Sequence, residues 1–384
     1  MTSRKMNLQR NQQKPARPVW LLPTPSRTDE IARRASDIGD FELRETTLRL
    51  MRGENLARTE AANFLNALLN PAATDVQLAA ALAVLAVKGE TVEELAGMAE
   101  AMRNRAIPVR CHHELFIDTA GTGSSTAKTF NVSTAAAFVI AGAGVPVAKH
   151  GSRAATSHSG SADVLEALGV NTGATPETVE RCLSEHGICF IFAPLFHGAT
   201  ARVAHVRRQL GVHTTFNLLG PLTNPARAPF QILGVWHPSL LERVASALAL
   251  LGVERAWVVH GADGLDEVTI TDNTFIAACS SGGTLNTFTI SPDDFGLKRR
   301  SLDGFRGGKP RENARLISAI LHGEKAKATD AARDLVIINA AAALHVTGFA
   351  RDLHQGATLA RESIDSGNAA KKLDALIRET NRDQ

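Results

Sequence analysis

The sequence predicts an α/β fold with a small, all-helical N-terminal domain and a larger domain built on a central, mostly parallel sheet. From about Phe41 to Ala106, apolar residues recur at three- and four-residue spacing, which is typical of helices. After Pro108, short β-branched runs alternate with helical stretches, a pattern typical of a parallel sheet. We therefore divide the 384 residues into a tail (1–38), a helical domain (39–108) and an α/β domain (109–384).

The tail is basic and is expected to be disordered. Residues 1–28 carry six basic side chains and no acidic one, and they lack the apolar run of a signal peptide. A solvated tail is the preferred interpretation, with an organellar transit peptide as the alternative. The four cysteines form no CxxC pair, which is consistent with a cytoplasmic protein. No apolar run reaches the ~20 residues of a membrane helix, and a net charge of +3 does not by itself indicate nucleic-acid binding.

The helical domain carries start signals for two of its helices. The segments 74–77 and 91–94 both begin with Thr and have Gln or Glu three residues later, so each predicts a capping box. Asn70-Pro71 and Lys88-Gly89 mark breaks between helices. Helices from about 195–215 are expected to join this domain.

In the α/β domain, the strand-like runs are Glu114–Asp118, Val145–Ala148, Ile188–Phe192, Ile232–Val235 and Trp257–Val259. Val268–Ile270 and Thr284–Ile290 are expected to be later strands that form a hairpin. From Arg311 the pattern is again helical, and the last helical stretches cover Ala328–Val346 and Gly356–Arg378.

Two loops rich in Gly, Ser and Thr follow the first two predicted strands. The first runs from Gly121-Thr122-Gly123 to Thr134, and the second runs from Lys149-His150-Gly151 to Asp163. Glycines let the backbone approach an anion closely, and a helix N-terminus supplies unpaired amides. Because the carboxyl ends of parallel strands meet at one edge of a sheet, the loops predict one large phosphorylated ligand between them.

Side chains in these loops support an anion site. Ser133 and Thr134 precede the predicted helix Ala135–Ala141, where the alternative is that they only cap it. In the second loop, Lys149, His150 and Arg153 supply cationic groups among hydroxyls, and a solvated basic loop is the alternative.

A pair of carboxylates and a basic segment complete the candidate residues. Asp266-Glu267 can bind Mg²⁺ together with phosphate oxygens, provided that the fold brings the pair close to the glycine-rich loops. His197 and the segment 207–217 form the last group. Arg207 and Arg208 in that segment could equally be exposed charges at a helix end.

Taken together, these motifs resemble the anthranilate phosphoribosyltransferase family. The matching elements are GTG…TFNVST, KHG-S-R…SGSADVLEALG, FAPLFH, VRRQLG, TFNLLGPLTNP, GLDEV and Asn339-Ala340-Ala341-Ala342, and the resemblance covers about residues 41–378. It implies a homodimer with the architecture that phosphoribosyltransferases share with nucleoside phosphorylases. The implied reaction, a step of tryptophan biosynthesis, is Mg²⁺-dependent transfer of a phosphoribosyl group from 5-phosphoribosyl 1-diphosphate to anthranilate.

The resemblance also implies roles for particular residues. Those implied for the donor are Gly121, Thr122, Gly123, Thr129, Asn131, Ser133, Thr134, Lys149 and Ser161. Those implied for Mg²⁺ are Ser133, Asp266 and Glu267, and those implied for the acceptor are His150, Ser152, His197, Arg207 and His213. His150 is in addition the candidate for removing the amine proton.

Three positions depart from the family pattern. Ser124-Ser125-Thr126 replace Gly-Asp-Gly, Ser152 replaces an Asn, and His213 replaces an Arg that we expect to contact the anthranilate carboxylate. Losing such a charge-assisted contact costs about 1.5–3 kcal/mol. These changes support a second hypothesis, in which the acceptor is not anthranilate.

Two further hypotheses belong to other functional classes. One is a non-catalytic relative that binds nucleic acid through the basic tail, and the other is a nucleoside phosphorylase. The retained Asp266-Glu267 pair, with Ser133 and Lys149, argues against the first. The same carboxylate pair argues against the second, because a phosphorylase consumes inorganic phosphate and has no need of Mg²⁺.

Overall fold

The structure is a computed structural model and describes residues 42–123, 127, 129–154, 159–301, 307–324 and 329–382. The predicted tail and the Ser124–Thr126 segment lie outside the described residues. In the ranges described, no helix has both the length and the apolar character needed to cross a membrane.

Helices dominate the first part of the chain and cover the sheet in the second. The N-terminal helices are α1 (42–51), α2 (Arg58–Leu68), α3 (Asp75–Lys88) and α4 (Val92–Arg105). The later helices are α5 (Val132–Ala143), α6 (Ser161–Ala167), α7 (Pro176–His186), α8 (Ala193–Phe196), α9 (Ala201–Leu210), α10 (Thr215–Leu222), α11 (Leu241–Leu250), α12 (Pro310–Leu321), α13 (Asp330–Val346), α14 (Leu353–Asp365) and α15 (Asn368–Thr380).

A seven-stranded sheet forms the centre of the larger domain. Its strands are β1 (Ile117–Gly121), β2 (Val147–Gly151), β3 (Ile188–Phe192), β4 (Phe230–Gly234), β5 (Arg255–Gly261), β6 (Thr274–Ser280) and β7 (Leu285–Ile290). Their order is β3-β2-β1-β4-β5-β6-β7, with β1 to β5 parallel and β6 and β7 antiparallel. The predicted fold class, a helical domain followed by a mostly parallel α/β domain, is confirmed.

The sheet separates two hydrophobic cores, because successive side chains of a strand point to opposite faces. In β5, Trp257 and Val259 join the core formed with α5, α13, α14 and α15. Ala256 and Val258 face the other side, where they join α11 and the helices of the N-terminal domain. Helices α9 and α10 pack on α3 and α4 in this second core, which supports our proposal that they complete the helical domain.

Both predicted capping boxes are present. At the start of α3, the Gln77 amide donates to Thr74 Oγ1 (3.3 Å) and the Thr74 amide donates to Gln77 Oε1 (2.7 Å). At the start of α4, the Glu94 amide donates to Thr91 Oγ1 (3.2 Å) and the Thr91 amide donates to Glu94 Oε2 (2.7 Å). Each box pairs two amides that the helix itself leaves without a partner.

Three sequence predictions are corrected. Val268–Ile270 is buried irregular chain rather than a strand, and the hairpin partner of β7 is β6. The β-branched residues of Val268–Ile270 therefore indicated burial and not strand pairing. Strands β1 and β2 lie two or three residues further along than predicted, so Lys149 and His150 belong to β2. The last predicted helix is two helices, because Gly367 has a φ of 75°.

Candidate active site

A cavity of about 420 Å³ opens at the carboxyl ends of β1 and β2. The site residues predicted from the sequence line this cavity, with the exception of His213. Residues of both glycine-rich loops contribute to its wall together with the acidic pair Asp266 and Glu267. The two loops thus border one site, as their positions after neighbouring strands predict.

The acidic pair is hydrogen-bonded to two parts of the first loop. Asp266 Oδ2 accepts a hydrogen bond from the Gly123 amide (2.8 Å), and Glu267 Oε1 accepts one from the Ser133 amide (3.2 Å). This approach depends on glycine at the end of β4, since a Cβ at Gly234 would lie 1.6 Å from the carbonyl oxygen of Asp266. Asp266 and Glu267 therefore lie close to the first glycine-rich loop, as a metal site on these carboxylates requires.

The start of α5 is open towards the cavity. The helix begins at Val132, and its N-cap residue Asn131 makes no side-chain capping bond. Ser133 and Thr134 therefore lie inside the first turn and do not cap the helix. Such a turn presents backbone amides and the positive end of the helix dipole, which favour an anion. The Asn131 side chain instead bonds to protein, donating to the Ser159 carbonyl (3.0 Å).

Lys149 is a buried cation beside this helix start. Its Nζ donates to the Thr119 carbonyl (2.6 Å) and to Ser133 Oγ (3.3 Å). Burial lowers the pKa of Lys149, while the nearby Asp118 and Glu267 oppose that shift. A negatively charged ligand in the cavity would add to that opposition and favour the charged lysine.

The acidic pair has the chemistry of a magnesium site. Burial raises the pKa of Glu267 to about 8, and the adjacent Asp266 carboxylate adds to the shift. A cation bound beside the pair would favour the ionised form of Glu267. Carboxylate and hydroxyl oxygens are the ligands that Mg²⁺ prefers, so Ser133, Asp266 and Glu267 fit this ion.

Two histidines also line the cavity wall. The rings of His150 and His197 are 5.2 Å apart, and burial lowers their pKa values to about 3 and about 4. Each imidazole is hydrogen-bonded to a backbone carbonyl, that of Gly220 for His150 and that of Thr223 for His197. The Nε2 atom of each is buried and has no protein partner among the described residues. Both rings are therefore neutral near pH 7 and can accept a hydrogen bond at Nε2.

Arg207 is a further cation in the wall of the cavity. Its Nη2 donates to Asn217 Oδ1 (3.1 Å), and its guanidinium lies 5.6 Å from the centre of the Phe216 ring. The Nε atom is buried and has no partner within the described part of the chain. Burial lowers the pKa of Arg207, yet the group stays charged at neutral pH because its ordinary value is so high. This guanidinium is suited to bind a carboxylate.

His213 does not line the cavity, so its predicted contact with the acceptor has no support in this structure and stays a prediction. Helix α9 ends at Leu210, and its C-cap residue Gly211 has a φ of 65°, in the left-handed region. The His213 side chain is exposed and its ring lies 4.8 Å from that of Trp236. Arg153 does line the cavity, but its guanidinium is bound to Asp163 and Glu166, so two carboxylates already meet its charge.

Helix α10 contributes cavity residues to which the sequence analysis gave no individual role. Phe216, Asn217, Gly220 and Pro221 all line the wall, and Asn217 orients Arg207. The composition of Leu218–Pro225 is typical of a rigid turn, whereas residues 215–222 are helical. The Thr214 amide donates to Asn217 Oδ1 (3.0 Å), as in a capping box, and that spacing was the signal available in the sequence.

Comparison with known proteins agrees with this geometry. Residues 113–370 match the glycosyl transferase family a/b domain, and residues 44–106 match the helical bundle domain of the same family. A relative from Moorella thermoacetica named anthranilate phosphoribosyltransferase is 50% identical over 86% of this chain and 96% of its own. The chain belongs to the anthranilate phosphoribosyltransferase family. A second relative of that name, from Anaeromyxobacter dehalogenans, is also 50% identical, over 86% of this chain and 97% of its own.

Solved structures of the anthranilate phosphoribosyltransferase family share the fold. The enzyme from Thermus thermophilus has a TM-score of 0.81 at 41% identity and covers 87% of this chain and 98% of its own. The Saccharomyces cerevisiae enzyme in complex with PRPP and Mg has a TM-score of 0.81 at 29% identity, with coverage of 88% and 98%.

Proposed function

We propose that this protein transfers the 5-phosphoribosyl group of 5-phosphoribosyl 1-diphosphate to the amine of anthranilate and releases diphosphate, with Mg²⁺ as cofactor. The observation that carries the proposal is that one cavity is lined by two chemically different groups of residues. The acidic pair and the start of α5 form a part suited to a metal-bound diphosphate. Arg207 and two neutral histidines form a part suited to an aromatic amino acid with a carboxylate.

The donor part stabilises the leaving group. Residues 121–123 and 129–134 would surround the phosphates with backbone amides and hydroxyls, while Lys149 adds positive charge. Ser133, Asp266 and Glu267 would hold Mg²⁺, which when bound neutralises negative charge that builds up on the departing diphosphate. Groups fixed before the reaction stabilise this charge without further reorganisation.

The acceptor part orients the amine. An aromatic amine is neutral at pH 7, so its attack on the sugar requires no base to activate it. Arg207 would bind the anthranilate carboxylate. The Nε2 atoms of His150 and His197 would accept hydrogen bonds from the N–H groups of the amine. Once the new C–N bond forms, the nitrogen becomes strongly acidic, and His150 takes its proton even though burial lowers the pKa of this histidine to about 3.

Anthranilate is the acceptor that the comparisons support, since the relatives at 50% identity bear its name. The hypothesis of a different acceptor relied on Ser152 and His213. Ser152 lines the cavity, whereas His213 does not, so only one of the two substitutions bears on the acceptor. The nucleic-acid hypothesis depended on the tail, which lies outside the described residues.

We also propose that the protein works in the cytoplasm as a homodimer. Helix α3 supports the dimer, because Val76, Ala80, Ala83 and Val87 recur on one face and are exposed or half-buried. Sedimentation of wild type and a Val87→Asp variant tests this proposal. A dimer that the substitution dissociates is expected, and a wild-type monomer would contradict it.

The test of activity is the loss of anthranilate fluorescence on mixing the full chain with donor and Mg²⁺, alongside measurement of released diphosphate. We expect equal amounts of anthranilate consumed and diphosphate released, with no reaction when a chelator removes Mg²⁺. Diphosphate release that occurs with a different acceptor but not with anthranilate would support the alternative acceptor. Consumption of inorganic phosphate with a ribosylated base would support a phosphorylase instead.

A further inference from the structure

One matched motif, Asn339-Ala340-Ala341-Ala342, has no place in the reaction described above. Asn339 lies on α13 and is buried, and its side chain bonds to the residue that directly follows the acidic pair. Asn339 Oδ1 accepts from the Val268 amide (2.9 Å), and its Nδ2 donates to the Val268 carbonyl (2.8 Å). The other Nδ2 hydrogen bond goes to the Leu335 carbonyl (2.8 Å) within the helix. The amide therefore pairs Val268 as a neighbouring strand would.

The segment that carries the carboxylates needs such support. Residues 262–273 form no helix or strand, yet Val268 has no exposed surface and Leu265 has 1%. On the other side of the acidic pair, Asp263 accepts hydrogen bonds from the hydroxyls of Thr269 and Thr271, both at 2.6 Å. Side-chain contacts on both sides of Asp266 and Glu267 thus help to determine the course of this segment, together with backbone bonds such as that from the Ala262 amide to the Asn273 carbonyl.

We propose that Asn339 is a positioning residue for the metal-binding carboxylates, an inference that rests on the proposed function. Only a side chain with both a donor and an acceptor can satisfy the amide and the carbonyl of Val268 at once. In Asn339→Asp, the second oxygen would face the carbonyls of Val268 and Leu335 and repel them. The expected result is displacement of Glu267, one residue away, from the Ser133 amide and from the metal.

The test compares Asn339→Asp with a matched control, Asn171→Asp. Asn171 makes the same type of contact away from the cavity, donating to the Thr380 carbonyl (3.1 Å) and accepting from the Gly173 amide (2.9 Å). Mn²⁺ serves as a paramagnetic probe, titrated in the presence of donor and followed by its electron paramagnetic resonance signal. The thermal unfolding temperature and the Mg²⁺ concentration for half-maximal activity are measured on the same samples.

We expect Asn339→Asp to weaken Mn²⁺ binding and to raise the half-saturating Mg²⁺ concentration, each about 10-fold. The KM for anthranilate should stay within about twofold of wild type. Asn171→Asp should lower only the unfolding temperature. A variant of Asn339 that is destabilised but binds Mn²⁺ as wild type does would overturn the proposal, because the residue would then be merely structural.

Two further measurements keep the outcome decisive. If Asn339→Asp does not fold, Asn339→Ala removes the bonds to Val268 without adding a repelling oxygen and should weaken Mn²⁺ binding about threefold, so unchanged binding would overturn the proposal. Turnover by wild type separates the two proposals. A wild-type protein that binds Mn²⁺ in an Asn339-dependent manner but does not consume anthranilate refutes the proposed function and supports this inference.

Discussion

Replacing Arg207 by Met tests the acceptor part of the cavity. Methionine keeps much of the apolar stem of arginine that packs beside Phe216 but removes the guanidinium. The Arg207 Nε atom is buried and has no partner among the described residues. A bound carboxylate would accept a hydrogen bond from this N–H and so replace the bond to water that burial removes. The substitution should therefore act on anthranilate and leave the donor unaffected.

The expected magnitude follows from the loss of hydrogen bonding between charged partners. Such bonds contribute about 1.5–3 kcal/mol, which corresponds to roughly a 10- to 150-fold lower kcat/KM for anthranilate. Anthranilate fluorescence gives this value at saturating donor and Mg²⁺. Arg208→Met is the matched control, because Arg208 is the next residue of α9 and its side chain is exposed. Equal effects of the two substitutions, or a higher KM for the donor alone, would refute the assignment of Arg207.

Two further predictions concern the acidic pair and the buried histidines. In Gly234→Ala, the new Cβ would lie 1.6 Å from the carbonyl oxygen of Asp266, so the rate in the fluorescence assay should fall about 10-fold. The control is Gly198→Ala, whose new Cβ would have no atom within 4 Å and whose rate should match that of wild type. Burial lowers the pKa of His150 from 6.5 to about 3, so below pH 6.5 the unfolded chain binds a proton that the folded chain does not, and stability falls as the pH drops. Between pH 6.5 and 5 this loss amounts to about 1.6 kcal/mol, and urea unfolding should show it missing from His150→Gln but present in the exposed control His205→Gln. An equal pH dependence in all three proteins would contradict the buried, neutral imidazole.

The fold and the donor part of the cavity were accessible from the sequence because their signals are local. Thr74 and Gln77 predict a helix start within four residues, and Gly121-Thr122-Gly123 indicates the end of a strand. The sequence did not predict that Asp266 and Glu267 lie close to these loops; it showed only that a metal site would require this closeness. In the structure, the pair reaches the loops because its irregular segment packs directly against Gly234 at the end of β4.

Other features depend on where the chain turns in space. His213 was assigned to the acceptor because it replaces an Arg of the family pattern, but in the structure it is exposed. Val268–Ile270 has the composition of a strand, while its partner is the side chain of Asn339, 71 positions away. Patterns along the chain report burial and propensity, and they do not identify a partner so distant in sequence.

A crystal structure of the protein with the donor, Mg²⁺ and anthranilate would test the central claim most directly. We predict diphosphate between residues 121–123 and the start of α5, with Mg²⁺ on Asp266 and Glu267. The anthranilate carboxylate should contact Arg207, and its amine should face Nε2 of His150 and His197. Anthranilate bound away from Arg207, or a diphosphate that makes no contact with the metal on the acidic pair, would contradict the assignment of one cavity to both substrates.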